Sequence, residues 1–266
     1  MKLGMNIKLG SDSIKFIDTC ERAGIRAIRL VSDRDGLSHL HSVAAHIESK
    51  GMMAALSVMS VCNVSMVRDC SLFVDEAADL YEAVGPLFPK EISLGVVLPV
   101  GASQLEAMIP AVAIKNTMSI LSNIVKQSGH KVVLPMSFGD AVDQRWNGVS
   151  CDVIELDMML SESVDFNPLL ERVLAQMNKP FWFGKSGIVG GYTFPSEQVK
   201  VIRKLMSSSI GAEYSFLWSE PNDSRWAWSI DGMAVIDILG SSINQATSQR
   251  IPTGDANLAS IKASLR

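Results

Sequence analysis

The sequence predicts an α/β protein built as a single-domain closed (β/α)₈ barrel, and three observations carry that expectation. A short β-branched or apolar run, a polar turn and an amphipathic stretch recur about eight times between Met1 and Gln245, the rhythm of a barrel assembled from repeated βα units. The length, 266 residues, suits one domain of that kind. The composition, 47% hydrophobic and 20% charged, is that of a molecule with a large core, as strands buried on both faces require. No Gly/Pro/Ser-rich linker divides the chain. Residues 1–246 are therefore assigned to the barrel, and 247–266, with Pro252-Thr253-Gly254, to a C-terminal tail or arm.

The elements follow in order. Strand one is Leu3 to Leu9, and Ser11 or Asp12 caps a helix that carries Ile14, Phe16, Ile17 and Cys20 inward before Gly24 ends it. Strand two is Ile25 to Val31; the loop Ser32-Asp33-Arg34-Asp35-Gly36 leads to a helix from Leu37 to Lys50, closed by Gly51. Strand three, Met53 to Met59, precedes a helix from Met66 to Ala83, stopped by Gly85-Pro86. Strand four, Ile92 to Leu98, ends at Pro99, and the helix from Ser103 to Gln127 is kinked or split by Pro110. Strand five is Lys131 to Ser137, with a short helix around Asp140 to Trp146. Strand six is Asp152 to Met158, followed by a helix from Val164 to Met177. Strand seven is the aromatic run Pro180 to Phe183, opening into a Gly-rich loop at Gly184-Lys185-Ser186-Gly187, and Pro195 starts a helix to Ser209. Strand eight is Ala212 to Trp218, and Ile230 to Ile243 is the closing helix.

Several function classes are excluded. A net charge of −4, with no Lys/Arg cluster, lacks the footprint of nucleic-acid or anionic-membrane binding. The first ten residues are interrupted too early by Lys8 to be a signal peptide, and no stretch reaches the roughly 20 apolar residues of a membrane helix. The expected location is cytoplasmic or within an assembled particle. The 4 cysteines show no CxxC pair, which argues for reduced, buried thiols. A dinucleotide fingerprint is missing after strand one, where Leu9-Gly10-Ser11-Asp12 stands, and Gly184-Lys185-Ser186 lacks the earlier glycine of a P-loop, since position 179 is Lys. His39, His41 and His46 fall on the second helix and His130 begins strand five, so none is placed as a metal ligand or base; no metal and no cofactor is implied.

In such barrels the chemistry lies at the C-terminal ends of the strands. Strand one offers Asn6 and Lys8, and strand two offers Arg29, a charge inside a strand that must reach the polar mouth or pair with a carboxylate. In strand six, period-two alternation puts Glu155 and Asp157 on one face and Ile154 and Leu156 on the other. If the acids face inward, Arg29, Lys8 and Lys185 are the available cations, and the same residues read equally as a structural ion-pair network. Strand eight and the loop beyond it add Trp218, Glu220, Asn222 and Asp223, with Trp226 and Trp228 close behind. Flat rings and carboxylates suit sugar recognition, and they suit packing of a long loop equally.

The segment from Lys179-Pro180-Phe181-Trp182-Phe183-Gly184-Lys185 through Ser196-Glu197-Gln198 to Tyr214-Ser215-Phe216-Leu217-Trp218 resembles the last third of the TIM-barrel glycoside hydrolases, as does the strand-two ending Ile28-Arg29-Leu30. In that clan strand seven ends in a nucleophilic glutamate and strand eight in a tryptophan that stacks under the sugar. This chain has Lys185 at the nucleophile's place and Leu98-Pro99-Val100-Gly101 where the family has its Asn-Glu acid/base pair. The resemblance thus implies a glycosidase-like barrel without the usual catalytic glutamates. Hydrolysis needs two carboxyl groups about 5 to 9.5 Å apart, and a lysine cannot form the glycosyl intermediate.

Three expectations follow. One is a pseudoenzyme barrel that binds carbohydrate or another small polar ligand through Asn6, Arg29, Trp182, Tyr192, Trp218 and Asn222. Another is an enzyme in which Lys185 forms an imine, or in which Glu155, Asp157 and Glu220 supply acid/base work. The last is a structural component of a larger particle, with protein assembly partners, that uses the barrel as a scaffold.

Overall fold

The computed structural model describes residues 2–32, 35–58, 93–95, 110–160, 178–188 and 211–217, together with helical positions 75, 78, 79, 82, 172 and 175. The described strands are β1 (Lys2–Lys8), β2 (Ala27–Ser32), β3 (Met53–Val58), β4 (Ser93–Gly95), β5 (Val132–Ser137), β6 (Val153–Leu160), β7 (Phe181–Ile188) and β8 (Tyr214–Leu217). Each pairs in parallel with its neighbours in sequence, and β8 pairs back onto β1, so the sheet closes. The described α-helices are α1 (Ser13–Arg22), α2 (Leu40–Ser49), α3 (Ala111–Gln127) and α4 (Phe138–Val142), with a 3₁₀ turn at Asp35–His39 before α2. Helical positions 75, 78, 79 and 82 lie between β3 and β4, and 172 and 175 between β6 and β7. The expected helices at 195–209 and 230–243 and the tail at 247–266 lie outside the described residues. No described helix is long and apolar enough to cross a membrane.

Local chemistry sets the ends of the helices. Asp12 occupies the N-cap of α1 without a side-chain cap bond. The next residue instead ties the helix start to the preceding turn: Ser13 Oγ accepts from the Gly10 N–H at 2.9 Å and donates to the Lys8 carbonyl at 3.3 Å. Gly24, at φ +82°, ends the turn after the helix in the left-handed region expected of a terminating glycine. On α1, Ile17 and Cys20 are buried as expected, but Ile14 is 38% exposed and points away from the core. Pro110 stands at the N-cap of α3 with ψ 135°, so this helix begins at the proline, which has no N–H to give to a preceding turn. A capping box starts α4: the Asp140 N–H donates to Ser137 Oγ at 3.1 Å, and Asp140 Oδ2 accepts from the Ser137 N–H at 3.1 Å.

Period two sorts the strand residues between two cores. Leu3, Met5, Ile28, Leu30, Leu134 and Ile154 are buried on the outward parity, beneath the helices. On the inward parity Ala27, Ala55, Val133, Val153, Trp182, Tyr214 and Phe216 form one cluster that fills the barrel, with Met53 packed against it. Small residues on β2 and β3 leave room for the aromatics of β7 and β8. Trp182 meets Tyr214 and Phe216 edge to face at 5.7 and 5.6 Å, a favoured geometry. Gly4 belongs to the same fit, because a Cβ there would come within 2.5 Å of Phe216 Cδ1. Strand β7 is longer than its sequence suggests: in Gly184-Lys185-Ser186-Gly187, expected as a loop, Lys185, Ser186 and Gly187 pair with β6. Barrel closure outweighs the low strand propensity of those glycines.

Candidate functional site

Arg29 and Glu155 lie on the inward parity of β2 and β6, one step nearer the strand C-termini than the aromatic cluster. In the closed ring those strands are four places apart, on opposite walls, so the two side chains span the lumen. Arg29 Nε donates to Glu155 Oε2 at 2.9 Å and Nη2 donates to Oε1 at 2.5 Å. With the residues 3% and 2% exposed, this is a buried, two-pronged pair. The fork-to-carboxylate match offsets the desolvation of both ions. Arg29 Nη1 also donates to Asn6 Oδ1 at 2.9 Å. Asn6 Nδ2 then shares its N–H groups among the carbonyls of Gly184 (2.9 Å), Phe216 (3.2 Å) and Leu217 (3.1 Å). One polar layer thereby links β1, β2, β6, β7 and β8.

Gly184 makes that layer possible. A Cβ on it would overlap Cγ and Cδ of Glu155, so the carboxylate lies across bare backbone. The register shows a second role: Glu155 pairs with Trp182 and Leu156 with Phe183, but Asp157 pairs with Lys185. Gly184 is the extra residue of a bulge, and the β7–β8 register shifts between Phe183 and Ser186 as well. The bulge brings the backbones of Asp157 and Lys185 level with each other, one inward position beyond Glu155.

Of the residues expected at a site, Asn6, Arg29 and Glu155 are joined in one network, and Asp157 and Lys185 are adjacent in register just above it. Trp182 is not at the mouth. It is 3% exposed in the barrel core, with its indole N–H 3.5 Å from Glu213 Oε2, because its register level lies below that of Gly184 and opposite small alanines. Tyr192, Trp218, Glu220 and Asn222 lie outside the described residues. Lys8 ends β1 with its side chain exposed. His46 meets Asp18 at 2.8 Å and His130 meets Ser128 Oγ at 2.9 Å. Among the described residues no three His, Cys, Asp or Glu side chains gather to hold a metal ion. Burial pushes the Cys20 thiol up to about 12 and raises that of Cys151, so neither is a ready nucleophile at neutral pH. Reading the sequence missed Gly184 and Gly4. Their signal was a glycine inside a strand, which marks a bulge or a close approach.

The arrangement centres on a paired charge. Both Glu155 oxygens are engaged by one guanidinium, which presents a fixed dipole rather than a carboxylate poised to attack.

No protein-family model matches the chain, and no curated protein matches it in sequence. Solved structures do share its fold. A GH5-4 broad specificity endoglucanase from Clostridium acetobutylicum superposes with a TM-score of 0.66 at 12% identity, over 90% of this chain and 97% of that one. A Bacteroidetes-affiliated GH5 cellulase linked with a polysaccharide utilization locus gives 0.65 at 10% identity over 91% of both chains. An exo-β-1,4-mannosidase from Opitutaceae bacterium strain TAV5 gives 0.65 at 10% identity, over 92% of this chain and 60% of that one. The likeness is one of fold: the chain is similar to TIM-barrel glycoside hydrolases, with an α/β architecture in which a parallel sheet curls around a filled core.

Proposed function

We propose that this chain is a complete (β/α)₈ barrel of glycoside-hydrolase type that binds carbohydrate at the C-terminal mouth of its strands and does not carry out the hydrolysis typical of that fold. The observation that carries the reading is the bidentate capture of Glu155 by Arg29 at 2.9 and 2.5 Å. A glycosidase needs one carboxyl group kept protonated and one free to stabilise or attack the sugar. A carboxylate held by a guanidinium on both oxygens serves neither purpose. The sequence supports the same conclusion, with Lys185 and Leu98-Pro99-Val100-Gly101 standing where the resemblance leads one to look for glutamates. The fold neighbours include an endoglucanase and a mannosidase, which makes a polysaccharide fragment the ligand class to test. In this reading the Arg29–Glu155–Asn6 layer forms the polar base of the site. Asp157 and Lys185 lie above it, and Tyr192, Trp218, Glu220 and Asn222 supply stacking and hydroxyl contacts.

The test is a glycan-array screen paired with hydrolysis assays on every glycan retained. Binding without turnover is the expected result. Binding with turnover would mean that acids such as Asp157 or Glu220 perform the chemistry, and the absence of any binding would shift the reading to a scaffold within an assembly.

A further inference from the structure

Between α4 and β6 the chain makes turns as far as Gly148, and the last two residues of that run pair a reactive amide with a bare backbone nitrogen. Of the asparagines in the chain, only Asn147 is followed by glycine, and both residues are exposed. An asparagine carboxamide lies within five-membered-ring reach of the next residue's backbone nitrogen. The side chain of that next residue normally obstructs the approach, and glycine has none. Here the backbone is held on either side of the nitrogen: the Asn147 N–H donates to the Gln144 carbonyl and the Val149 N–H to the Trp146 carbonyl, each at 3.0 Å. The Gly148 N–H itself meets no acceptor among the described residues, so its proton is open to solvent. Gly148 also stands at φ +88°, a conformation that favours glycine over any residue with a side chain.

A cation stands at the same place. A Cβ built on Gly148 would lie 3.7 Å from Nζ of Lys115, which reaches over from α3. Its charge favours both the amide anion of Gly148 and the oxyanion formed when that anion attacks a carbonyl. In water a unit charge at this range favours an anion about threefold. We propose that Asn147-Gly148 is a self-modifying site whose deamidation Lys115 accelerates. Hydroxide takes the Gly148 amide proton and the nitrogen bonds to Asn147 Cγ. The Cγ–Nδ2 bond then breaks, and Nδ2 leaves as ammonia with a proton from water, closing a succinimide ring. Water opens the ring at either carbonyl, giving aspartate or isoaspartate. Overall one water is consumed and one ammonia released, and a carboxylate appears beside Lys115. None of this depends on the carbohydrate reading.

The test is incubation of the full chain between pH 7 and pH 9, in native buffer and in denaturing urea. Peptide mass spectrometry with electron-transfer fragmentation locates the gain of one dalton and separates isoaspartate from aspartate. In native buffer Asn147 should be modified ahead of every other asparagine, at a rate that rises with hydroxide. Lys115→Met should slow the reaction about threefold there, and Lys115→Arg, which keeps the charge, should not. In urea, where α3 no longer holds the ammonium beside Gly148, the parent and both variants should react alike. Circular dichroism melts establish that the variants are folded in native buffer. Any of three results overturns the proposal: another asparagine reacting first in the folded protein, folded Lys115→Met reacting at the parental rate, or a slowing in Lys115→Met that persists in urea.

Discussion

Replacing Glu155 by Gln keeps the shape of the side chain and removes its charge, leaving the Arg29 guanidinium in a site where the two residues are only 3% and 2% exposed. Water cannot compensate at that depth. Breaking a buried pair by removing one partner costs about 3–5 kcal/mol. In a chain of this size 1 kcal/mol moves the melting temperature by about 2–4 °C, so Glu155→Gln should melt roughly 6–20 °C below the parent. Arg29→Met strands the carboxylate and should cost a similar amount. In the double variant Glu155→Gln/Arg29→Met neither partner is left charged without the other, and part of the loss should return, giving a coupling of about 2 kcal/mol or more. The assay is thermal and urea denaturation of the four proteins, read by circular dichroism. A Glu155→Gln protein that melts within about 2 °C of the parent, or a double variant that loses the sum of the single effects, would refute the argument that the pair is dry and mutually dependent.

Other outcomes follow from the same geometry. Gly184→Ala drives a methyl into Glu155 and should cost about 1–3 kcal/mol, and Gly4→Ala, which meets Phe216 Cδ1 at 2.5 Å, should cost a similar amount; chemical denaturation measures both. Ser137→Ala removes the capping box of α4 and should lower stability by about 1 kcal/mol. Hydrogen bonding by His46 holds the Asp18 carboxyl below its usual 3.8, a contribution present above that value and lost as pH falls through the lower folded pKa. The melting difference between parent and Asp18→Asn should therefore be small but measurable at pH 7 and vanish in strong acid. Hydrogen bonding by Glu21 raises Lys50 above 10.5, a contribution present below that value and lost as pH climbs past the raised one. Native Cys20, with its thiol pushed up to about 12, should resist alkylation at pH 8 and react only on unfolding, as read by mass spectrometry of labelled peptides.

How far the sequence could be read depended on whether a residue's neighbours in space were also legible. The strands β1, β3 and β5 stand within a residue or so of their predicted bounds, because apolar runs between turn residues have few other uses in a repeating βα chain. Arg29 was identifiable as a charge in a strand that demanded a partner, and the alternation of Glu155 with Ile154 named a candidate. Which of the available acids and cations would meet was not legible, since β2 and β6 come together only when the barrel closes. Strand β7 was cut short at Phe183 because Gly184-Lys185-Ser186-Gly187 has the composition of a loop, and local propensity carries no information about a sheet that needs those residues for closure. Trp182 was a candidate ligand contact on the aromatic strand that carries the glycosidase resemblance. Its true place depends on its register with Tyr214 and on the alanines across the lumen, neither of which a linear pattern displays. Asn6 was picked out for its position, yet its contacts with three carbonyls on β7 and β8 belong to the closed ring alone.

The strut between Arg29 and Glu155 also acts as a depth stop. Below it the lumen is packed with Trp182, Tyr214 and Phe216, so the pair ends the aromatic packing on the C-terminal side of these strands. Removing it would take away at once the tie between two opposite walls and the cap on the rings beneath.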